Sequence, residues 1–283
     1  MRRELKIDGG SIAIFEDQFN KRVRLDEYEG PTEDIIDCLK QSLPIWTEKV
    51  IAKVLPKDVP SFISKGFVCE GFVAGYFSGE NMYFLVKYLS PDRARSTDWA
   101  NGQKILDAIL SSSVLKTEET DVEIKIATLA DAPLLAALYT EVFSLYPIPL
   151  SEPEHIVNAM NKGTIFMYIS KGAKIISAAS AEVNKKFGNA ELTDCATLKL
   201  ERGKGYMQQL ILRLEVLLLE MNITCMYTIS RSQSFGINKA FYNLEYSFGG
   251  RLFNNCYISS GMEDMNVWYK VMQANQKPSN YAH

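Results

Sequence analysis

The sequence predicts an α/β protein in which helices pack on the faces of a mixed β-sheet. Residues 122–272 alternate between strand-like and helix-like segments, in the order β-α-α-β-β-β-α-β-α-β-β. The first 90 residues contain a weaker copy of the second half of that order. With 283 residues, 47% of them apolar and 23% charged, the chain can form one large domain or two ordinary ones with a sizeable core.

The first part of residues 122–272 predicts a strand, two helices and three further strands. VEIKIAT indicates the first strand, and LADAPLLAALYTEVF indicates a helix opened by Asp131, with Pro133 in its first turn. SEPEHIVNAMNKG indicates the second helix, with Ser151 as its N-cap and Gly163 as its stop. The strands TIFMYIS, KIISAASAEVN and AELTDCATLKL follow, and the short loops between them predict antiparallel hairpins.

The second part begins at a basic turn, RGKG, which runs directly into the long apolar helix pattern YMQQLILRLEVLLLE. The strand CMYTIS, the helix SFGINKAFYNLEY and two strands around GGRLFNNCYIS and MNVWYKVM complete the order. Arg213, Glu215 and Glu220 interrupt the apolar run, so we expect no membrane span here.

The N-terminal copy keeps the landmarks of the second part but not its basic turn. Gly66 falls where Glu245 does, Gly71 where Gly250 does, and SGENMYF where SGMEDMNVW does. At the place of RGKG stands the acidic segment EGPTEDIIDCLKQ, which has no second glycine. We therefore predict a degenerate scaffold, dimerisation or lid domain at 1–90, a connector with a short helix at 91–121, a catalytic domain at 122–272 and a tail at 273–283.

Composition argues against several classes of function. The net charge of −3 and the pI near 5.6 argue against a nucleic-acid-binding protein. Five scattered cysteines without a CxxC pair predict reduced thiols, with no disulfide or metal site. His155 and His283 are the two histidines, too few for a histidine-based metal site or a Ser-His-Asp triad. The charged N-terminus has no hydrophobic signal core, so we expect a cytoplasmic protein.

The basic turn is suited to binding an anion. The N-terminus of a helix has unpaired N–H groups and a positive partial charge. Gly203 and Gly205 permit positive φ and close approach of a ligand to the backbone, and Arg202 and Lys204 add charge. The turn is neither GxxxxGK[ST] nor GxGxxG, since Gln208 occupies the third glycine position of the latter. An exposed tight turn with a solvated lysine is the alternative interpretation.

In its element order and motifs the chain resembles the GNAT superfamily of acetyl-CoA-dependent N-acetyltransferases. The phosphate loop of that superfamily, [Q/R]-x-x-G-x-[G/A], is similar to residues 202–207, with Met207 in place of the small residue. INKAFYNLEY resembles its later helix, with Glu245 in place of the terminating glycine. Over nearly the whole chain the sequence resembles the β-lysine N6-acetyltransferases. The similar segments are RGKGYMQQLI, SQSFGINKAFYNL and NNCYISSGMEDMNVWYK, with FNKRVRL and GYFSGENMYFLVKYL near the N-terminus.

The resemblance implies a GNAT acyltransferase fold and acetyl transfer from acetyl-CoA to the terminal amine of β-lysine, giving a compatible solute. No metal is implied. Asn238 would contact the pantetheine or phosphate arm of the cofactor, and backbone N–H groups near Thr197 to Lys199 would stabilise the oxyanion. The implied cofactor-binding residues are Thr197, Leu198, Lys199, Arg202, Gly203, Lys204, Gly205, Tyr206, Met207 and Asn238.

Catalysis requires an acceptor amine without its proton, because a free lysine-type amine has a pKa of about 10.4. Glu191 or Asp194, on the strand before the turn, is the candidate base, and either one alternatively is a solvent-facing carboxylate. Tyr242 is the acid that the resemblance implies for the departing thiolate, and a core tyrosine is the alternative.

The segment EVFSLYPIPL is the predicted lining of the acceptor pocket. Phe143 and Tyr146 would flank an aliphatic diamine, and Glu141 would pair with its charge. A hydrophobic staple at a helix end also explains the aromatic residues. The alternatives for function are a GNAT enzyme acting on another small amine, a polyamine or a protein lysine, and a non-catalytic acyl-CoA sensor. A homodimer is left open.

Overall fold

The computed structural model describes residues 1–115, 122–143, 148–258 and 261–273. The strands are β1 (Arg2–Ile7), β2 (Gly10–Asp17), β3 (Arg22–Glu29), β4 (Lys49–Val54), β5 (Val68–Phe77), β6 (Glu80–Tyr88), β7 (Ile124–Ile126), β8 (Ile165–Lys171), β9 (Lys174–Asn184), β10 (Asn189–Thr197), β11 (Cys225–Arg231), β12 (Ser247–Ile258) and β13 (Gly261–Val271). The helices are α1 (Thr32–Gln41), α2 (Val59–Ser64), α3 (Trp99–Leu110), α4 (Ala132–Val142), α5 (Pro153–Asn161), α6 (Tyr206–Glu220) and α7 (Phe235–Asn243).

The described strands form one 13-stranded mixed sheet in the order β1-β2-β3-β4-β6-β5-β12-β13-β11-β10-β9-β8-β7. The predicted element order of residues 122–272 and the α/β class are confirmed. On α6 the fully buried residues Leu210, Leu214 and Leu218 are spaced four apart, so they share one helix face. This face packs on β9 and β10 and forms the core of the C-terminal half.

The pairing pattern of the N-terminal half repeats that of the C-terminal half. β3 and β4 are parallel and joined through α1, as β10 and β11 are parallel and joined through α6. β4 then pairs with β6 and β6 with β5, as β11 pairs with β13 and β13 with β12. The internal repeat seen in the sequence is therefore present in the topology.

The two halves meet where Gly71 of β5 lies opposite Gly250 of β12. A Cβ on Gly250 would lie 2.4 Å from the carbonyl oxygen of Glu70, and one on Gly71 would lie 2.9 Å from that of Gly249. The strands therefore approach too closely for any side chain at this junction. Glycine at both repeat positions is explained by this contact.

Buried polar contacts fasten the N-terminal half and the connector to β12. Lys49 forms a fully buried ion pair with Glu70 at 2.9 Å, and its Nζ also donates to the carbonyl oxygen of Phe253 in β12 at 2.5 Å. Arg22 donates from Nη1 to the carbonyl oxygen of Asn255 at 3.0 Å. Arg93 of the connector donates from Nε to the carbonyl oxygen of Asn254 at 2.8 Å. These buried donors are thus paired with acceptors across the junction between the two halves.

Local signals at helix ends were partly predictive. The prediction of Ser151 as an N-cap is wrong, because α5 begins two residues later at Pro153, whose locked φ suits the first helical position. Gly163 follows the end of α5 with φ +99°, as expected. Glu245 has φ +64°, so this position keeps the left-handed conformation although it lacks glycine. No described helix has the length and apolarity to cross a membrane.

Candidate active site

The site forms where two parallel strands separate. β10 and β11 pair over Asn189–Glu191 and Cys225–Tyr227, and their register extends no further. A bulge follows in β10 between Thr193 and Ala196, and Asp194 within it has φ +51°. The carboxyl ends of both strands consequently line an open cleft between them.

The cleft is a cavity of about 730 Å³ that receives residues from both halves of the chain. The glycine turn, the bulge of β10, the end of β11 and the start of α7 form one side. Arg24 and Lys53 of the N-terminal half line its far end, together with Glu182 and Glu191. This volume lies in the range of small-molecule and cofactor sites.

The glycine turn has the backbone geometry of an anion site. Gly203 and Gly205 have φ of +80° and +76°, and Gly205 is the residue that precedes α6. A Cβ at either position would have no atom within 4 Å, so the turn is open on its outer side. The first hydrogen bond of the helix runs from Gln209 N to Gly205 O at 3.2 Å, which leaves the preceding N–H groups directed outward. This cradle fits a pyrophosphate.

Cations and an apolar residue complete the turn. Arg202 donates from Nε to the carbonyl oxygen of Thr197 at 3.1 Å, and Lys204 pairs with Glu201 at 2.8 Å. Lys171 also pairs with Glu201 at 2.8 Å, so this carboxylate holds two lysines beside the cavity. Met207 is half-buried against the C-terminal core while lining the cavity, which gives this position a packing role.

Glu191 lies directly opposite Glu182 in the β9–β10 hairpin. Tyr227 donates from Oη to Glu191 Oε2 at 3.0 Å. Burial raises the pKa of Glu191 above its ordinary value, the charge of Glu182 raises it further, and Lys53 and Arg24 oppose this rise. A carboxyl group with a raised pKa that faces a cleft is suited to accept a proton near neutral pH.

Asp194 is buried at the bulge and lines the same cavity. Its Oδ2 accepts a hydrogen bond from Ser180 Oγ at 2.7 Å. Both candidate bases are thus in the cleft. The carboxylate of Asp194 is hydrogen-bonded to Ser180 of β9, whereas Glu191 lies opposite the carboxylate of Glu182.

The structure does not bring Tyr242 into the lining of the cavity. α7 presents Lys239, Ala240 and Asn243 to the cleft, whereas the ring of Tyr242 packs against Trp268, with its centroid 4.7 Å from Lys239 Nζ. The hydroxyl of Tyr242 contacts two carbonyl oxygens at the C-terminal end of α3, those of Leu110 at 3.3 Å and Ser112 at 3.2 Å.

Asn238, a residue of α7, is fully buried and does not line the cavity. Its Oδ1 accepts from Ser230, Asn266 and Trp268 at 3.1, 2.9 and 2.8 Å, and its Nδ2 donates to two backbone carbonyls. These bonds fasten α7 to β11 and β13. Asn238 therefore holds α7, which lines the cleft, in place without lining the cleft itself.

The other predicted residues divide in the same way. Thr197, Tyr206 and Phe143 line the cavity, whereas Leu198, Lys199 and Glu141 do not. The N–H of Leu198 donates to Ile176 O at 3.0 Å, so that amide is already paired. Glu141 is exposed and pairs with Lys174 at 2.7 Å. Tyr146 lies outside the described residues.

Sequence reasoning missed Glu182, Arg24 and Lys53. Glu182 had a readable signal, because a four-residue loop between β9 and β10 places 184 opposite 189 and therefore 182 opposite 191. Arg24 and Lys53 had none, since their place in the site depends on how the two halves pack.

Three proteins resemble this chain over most of their length, although no family model matches it. N-acetyltransferase YodP of Bacillus subtilis (strain 168) is 35% identical, covering 96% of this chain and 100% of that protein. Beta-lysine N(6)-acetyltransferase of Methanosarcina mazei is 34% identical, covering 87% of this chain and 100% of that protein. The protein of the same name from Methanococcus maripaludis is 31% identical, covering 85% and 90%.

The fold, the glycine turn and these similarities define the class as an N-acetyltransferase. The chain belongs to the N-acetyltransferase family that contains YodP and the β-lysine N6-acetyltransferases.

Proposed function

We propose that this enzyme transfers the acetyl group of acetyl-CoA to the terminal amine of β-lysine. The observation that carries the proposal is the carboxylate pair Glu182 and Glu191, which lines the same cleft as the glycine turn. Two relatives over 30% identical are named for β-lysine acetylation. An acceptor with ammonium groups is complementary to such a pair.

Glu191 is the base in this proposal. The ammonium group of the acceptor favours the ionised form of Glu191, and this carboxylate then takes the amine proton, directly or through a water molecule. Glu191 is preferred over Asp194 because its pKa is raised and its only described side-chain hydrogen bond comes from Tyr227. The neutral amine can then attack the acetyl carbonyl.

The bulge of β10 supplies the groups that stabilise the developing oxyanion. Thr193 pairs with Ser180 and Ala196 with Ala178, so Asp194 and Cys195 are outside the regular ladder. We assign the oxyanion to N–H groups of this bulge, since the amide of Leu198 is already bonded to Ile176.

The glycine turn and the acid complete the proposed mechanism. The N–H groups around Gly203 and Gly205, with Arg202 and Lys204, would hold the pyrophosphate of acetyl-CoA. Tyr242 remains our prediction for the residue that protonates the departing thiolate. Its hydroxyl would first have to leave its two carbonyl acceptors, so this assignment has less geometric support than that of Glu191.

A screen of acceptors tests the proposal. Coenzyme A release is followed with acetyl-CoA and β-lysine, lysine, ornithine or spermidine, and we expect the highest kcat/KM with β-lysine. A higher value with spermidine would assign the enzyme to polyamines instead.

A further inference from the structure

The far end of the cleft is built by the N-terminal half. β3 and β4 carry Arg24 and Lys53 into the cavity, where they face Glu182 and Glu191 of the hairpin. Asp26 holds both cations: its Oδ2 lies 3.2 Å from Arg24 Nη2 and its Oδ1 lies 3.1 Å from Lys53 Nζ. The half of the molecule that lacks a glycine turn therefore still contributes charge to the catalytic cleft.

Arg24 has hydrogen-bonding capacity that the protein does not use. Its Nε is buried and has no partner among the described residues. Its guanidinium lies 4.8 Å from the ring centroid of Phe15, and its side chain keeps 34% exposure, which faces the cavity. The one described hydrogen bond of this guanidinium runs from Nη2 to Asp26, so the exposed part of the side chain that lines the cavity can donate to an acceptor atom on a ligand.

Lys53 differs from Arg24 in this respect. Its ammonium pairs with Asp26 and lies 5.5 Å from the ring centroid of Tyr76, with a side chain 13% exposed. Lys53 thus orients Asp26, and Asp26 orients the guanidinium of Arg24. The fixed fork of a guanidinium suits bidentate binding of a carboxylate.

The charges at this end match a diamino acid. Arg24 and Lys53 lie close to the carboxylates of Asp26, Glu182 and Glu191, so this end presents both signs of charge. A diamino acid has two ammonium groups and one carboxylate and offers a partner to each sign. A polyamine would place only ammonium groups before Arg24.

We propose that Arg24, supplied by the N-terminal half, binds the carboxylate of the acceptor and selects diamino acids over polyamines. This inference rests on the proposed function. The N-terminal copy would then have a role of its own. The C-terminal half provides the glycine turn and the base, and the N-terminal half provides the arginine that binds the acceptor's carboxylate.

The test compares β-lysine with its carboxamide, which keeps both amines and loses only the carboxylate charge. For the wild-type enzyme we expect kcat/KM to be roughly 10- to 100-fold lower with the carboxamide, the range of one charge-assisted hydrogen bond. Arg24→Gln should lower kcat/KM for β-lysine relative to that for the carboxamide by a similar factor, so that the preference disappears, and should leave the KM for acetyl-CoA unchanged. Arg24→Lys should recover part of the preference.

Arg2→Gln is the matched control, because Arg2 lies in the same half with its side chain 60% exposed. It should keep the wild-type preference. If wild-type enzyme acetylates both compounds equally, the proposal is overturned without any variant, even if Arg24→Gln fails to fold. An unchanged preference in folded Arg24→Gln also overturns it. In both cases turnover of β-lysine by the wild type would leave the proposed function intact, whereas lack of that turnover would remove the function itself.

Discussion

Replacing Glu191 by Gln removes the proposed base with little change in shape. The amide oxygen of Gln can still accept the hydrogen bond that Tyr227 Oη donates at 3.0 Å. Its neighbours in the hairpin and the cations of the N-terminal half stay in place. The variant therefore differs from the wild type mainly in its inability to take a proton from the acceptor amine.

The expected loss follows from that single change. A positioned general base contributes about 10²- to 10⁴-fold, so kcat/KM for the acceptor should fall by that factor, or about 3–5 kcal/mol in the activation barrier. The assay is coenzyme A release between pH 5.5 and 9.5 at saturating acetyl-CoA. The wild type should gain activity with the ionisation of a group whose pKa lies above that of an ordinary glutamate, because burial and Glu182 raise the pKa of Glu191.

Stability should change in the opposite direction from activity. The raised pKa of folded Glu191 means that its stabilising contribution is present below the unfolded pKa and is lost as pH rises through the folded one. Gln resembles the protonated carboxyl at every pH. Glu191→Gln should therefore have a higher Tm than the wild type at pH 8, and the difference should disappear near pH 4.

Asp194→Asn is the control for the base. Asp194 shares the cleft but is held by Ser180, so its replacement should leave the pH profile of the remaining activity in place. The reasoning is refuted if Glu191→Gln keeps kcat/KM within threefold of the wild type, or if Asp194→Asn is the variant that abolishes the pH dependence.

Three further predictions follow from backbone and hydroxyl geometry. Tyr242→Phe should lower kcat more than it weakens acetyl-CoA binding. If kcat is unchanged and the unfolding free energy falls by about 1 kcal/mol, the hydroxyl serves only to hold the connector through its contacts with Leu110 and Ser112. Gly205→Ala and the control Gly188→Ala each place a side chain at positive φ, and each should lower the unfolding free energy by about 1 kcal/mol. Only Gly205→Ala should weaken acetyl-CoA binding in titration calorimetry. Equal acetyl-CoA affinity in the two variants would contradict the assignment of the glycine turn as the pyrophosphate site. Glu245→Gly should add about 1 kcal/mol to the unfolding free energy measured in urea. Asn222→Gly should add less, since Asn tolerates the left-handed conformation. An unchanged unfolding free energy in Glu245→Gly would mean that other contacts offset the strain at this position.

The fold was largely predictable because its signals are local. Strand and helix periods gave the element order of residues 122–272, and paired landmarks such as Gly71 and Gly250 gave the repeat. The glycine turn was also predictable, since a positive-φ requirement leaves glycine in the sequence. The start of α5 was not, because Ser151 and Pro153 are both acceptable start signals and the proline prevailed.

The site was predictable only in part because a side chain's direction depends on packing. Glu191 was found from its strand, but its partner Glu182 required the register of a hairpin. Tyr242 and Asn238 were assigned from a resemblance in sequence, and their orientation depends on the contacts of α7 with β13 and the connector. Arg24 reaches the cleft only because the two halves share one sheet.

The most direct test is coenzyme A release from acetyl-CoA with β-lysine as acceptor, measured on the 283-residue chain. The account predicts turnover with β-lysine, a higher kcat/KM than with spermidine, and loss of that turnover in Glu191→Gln. Tight binding of acetyl-CoA with no turnover on any amine of the screen would contradict it, and would make the protein an acyl-CoA sensor.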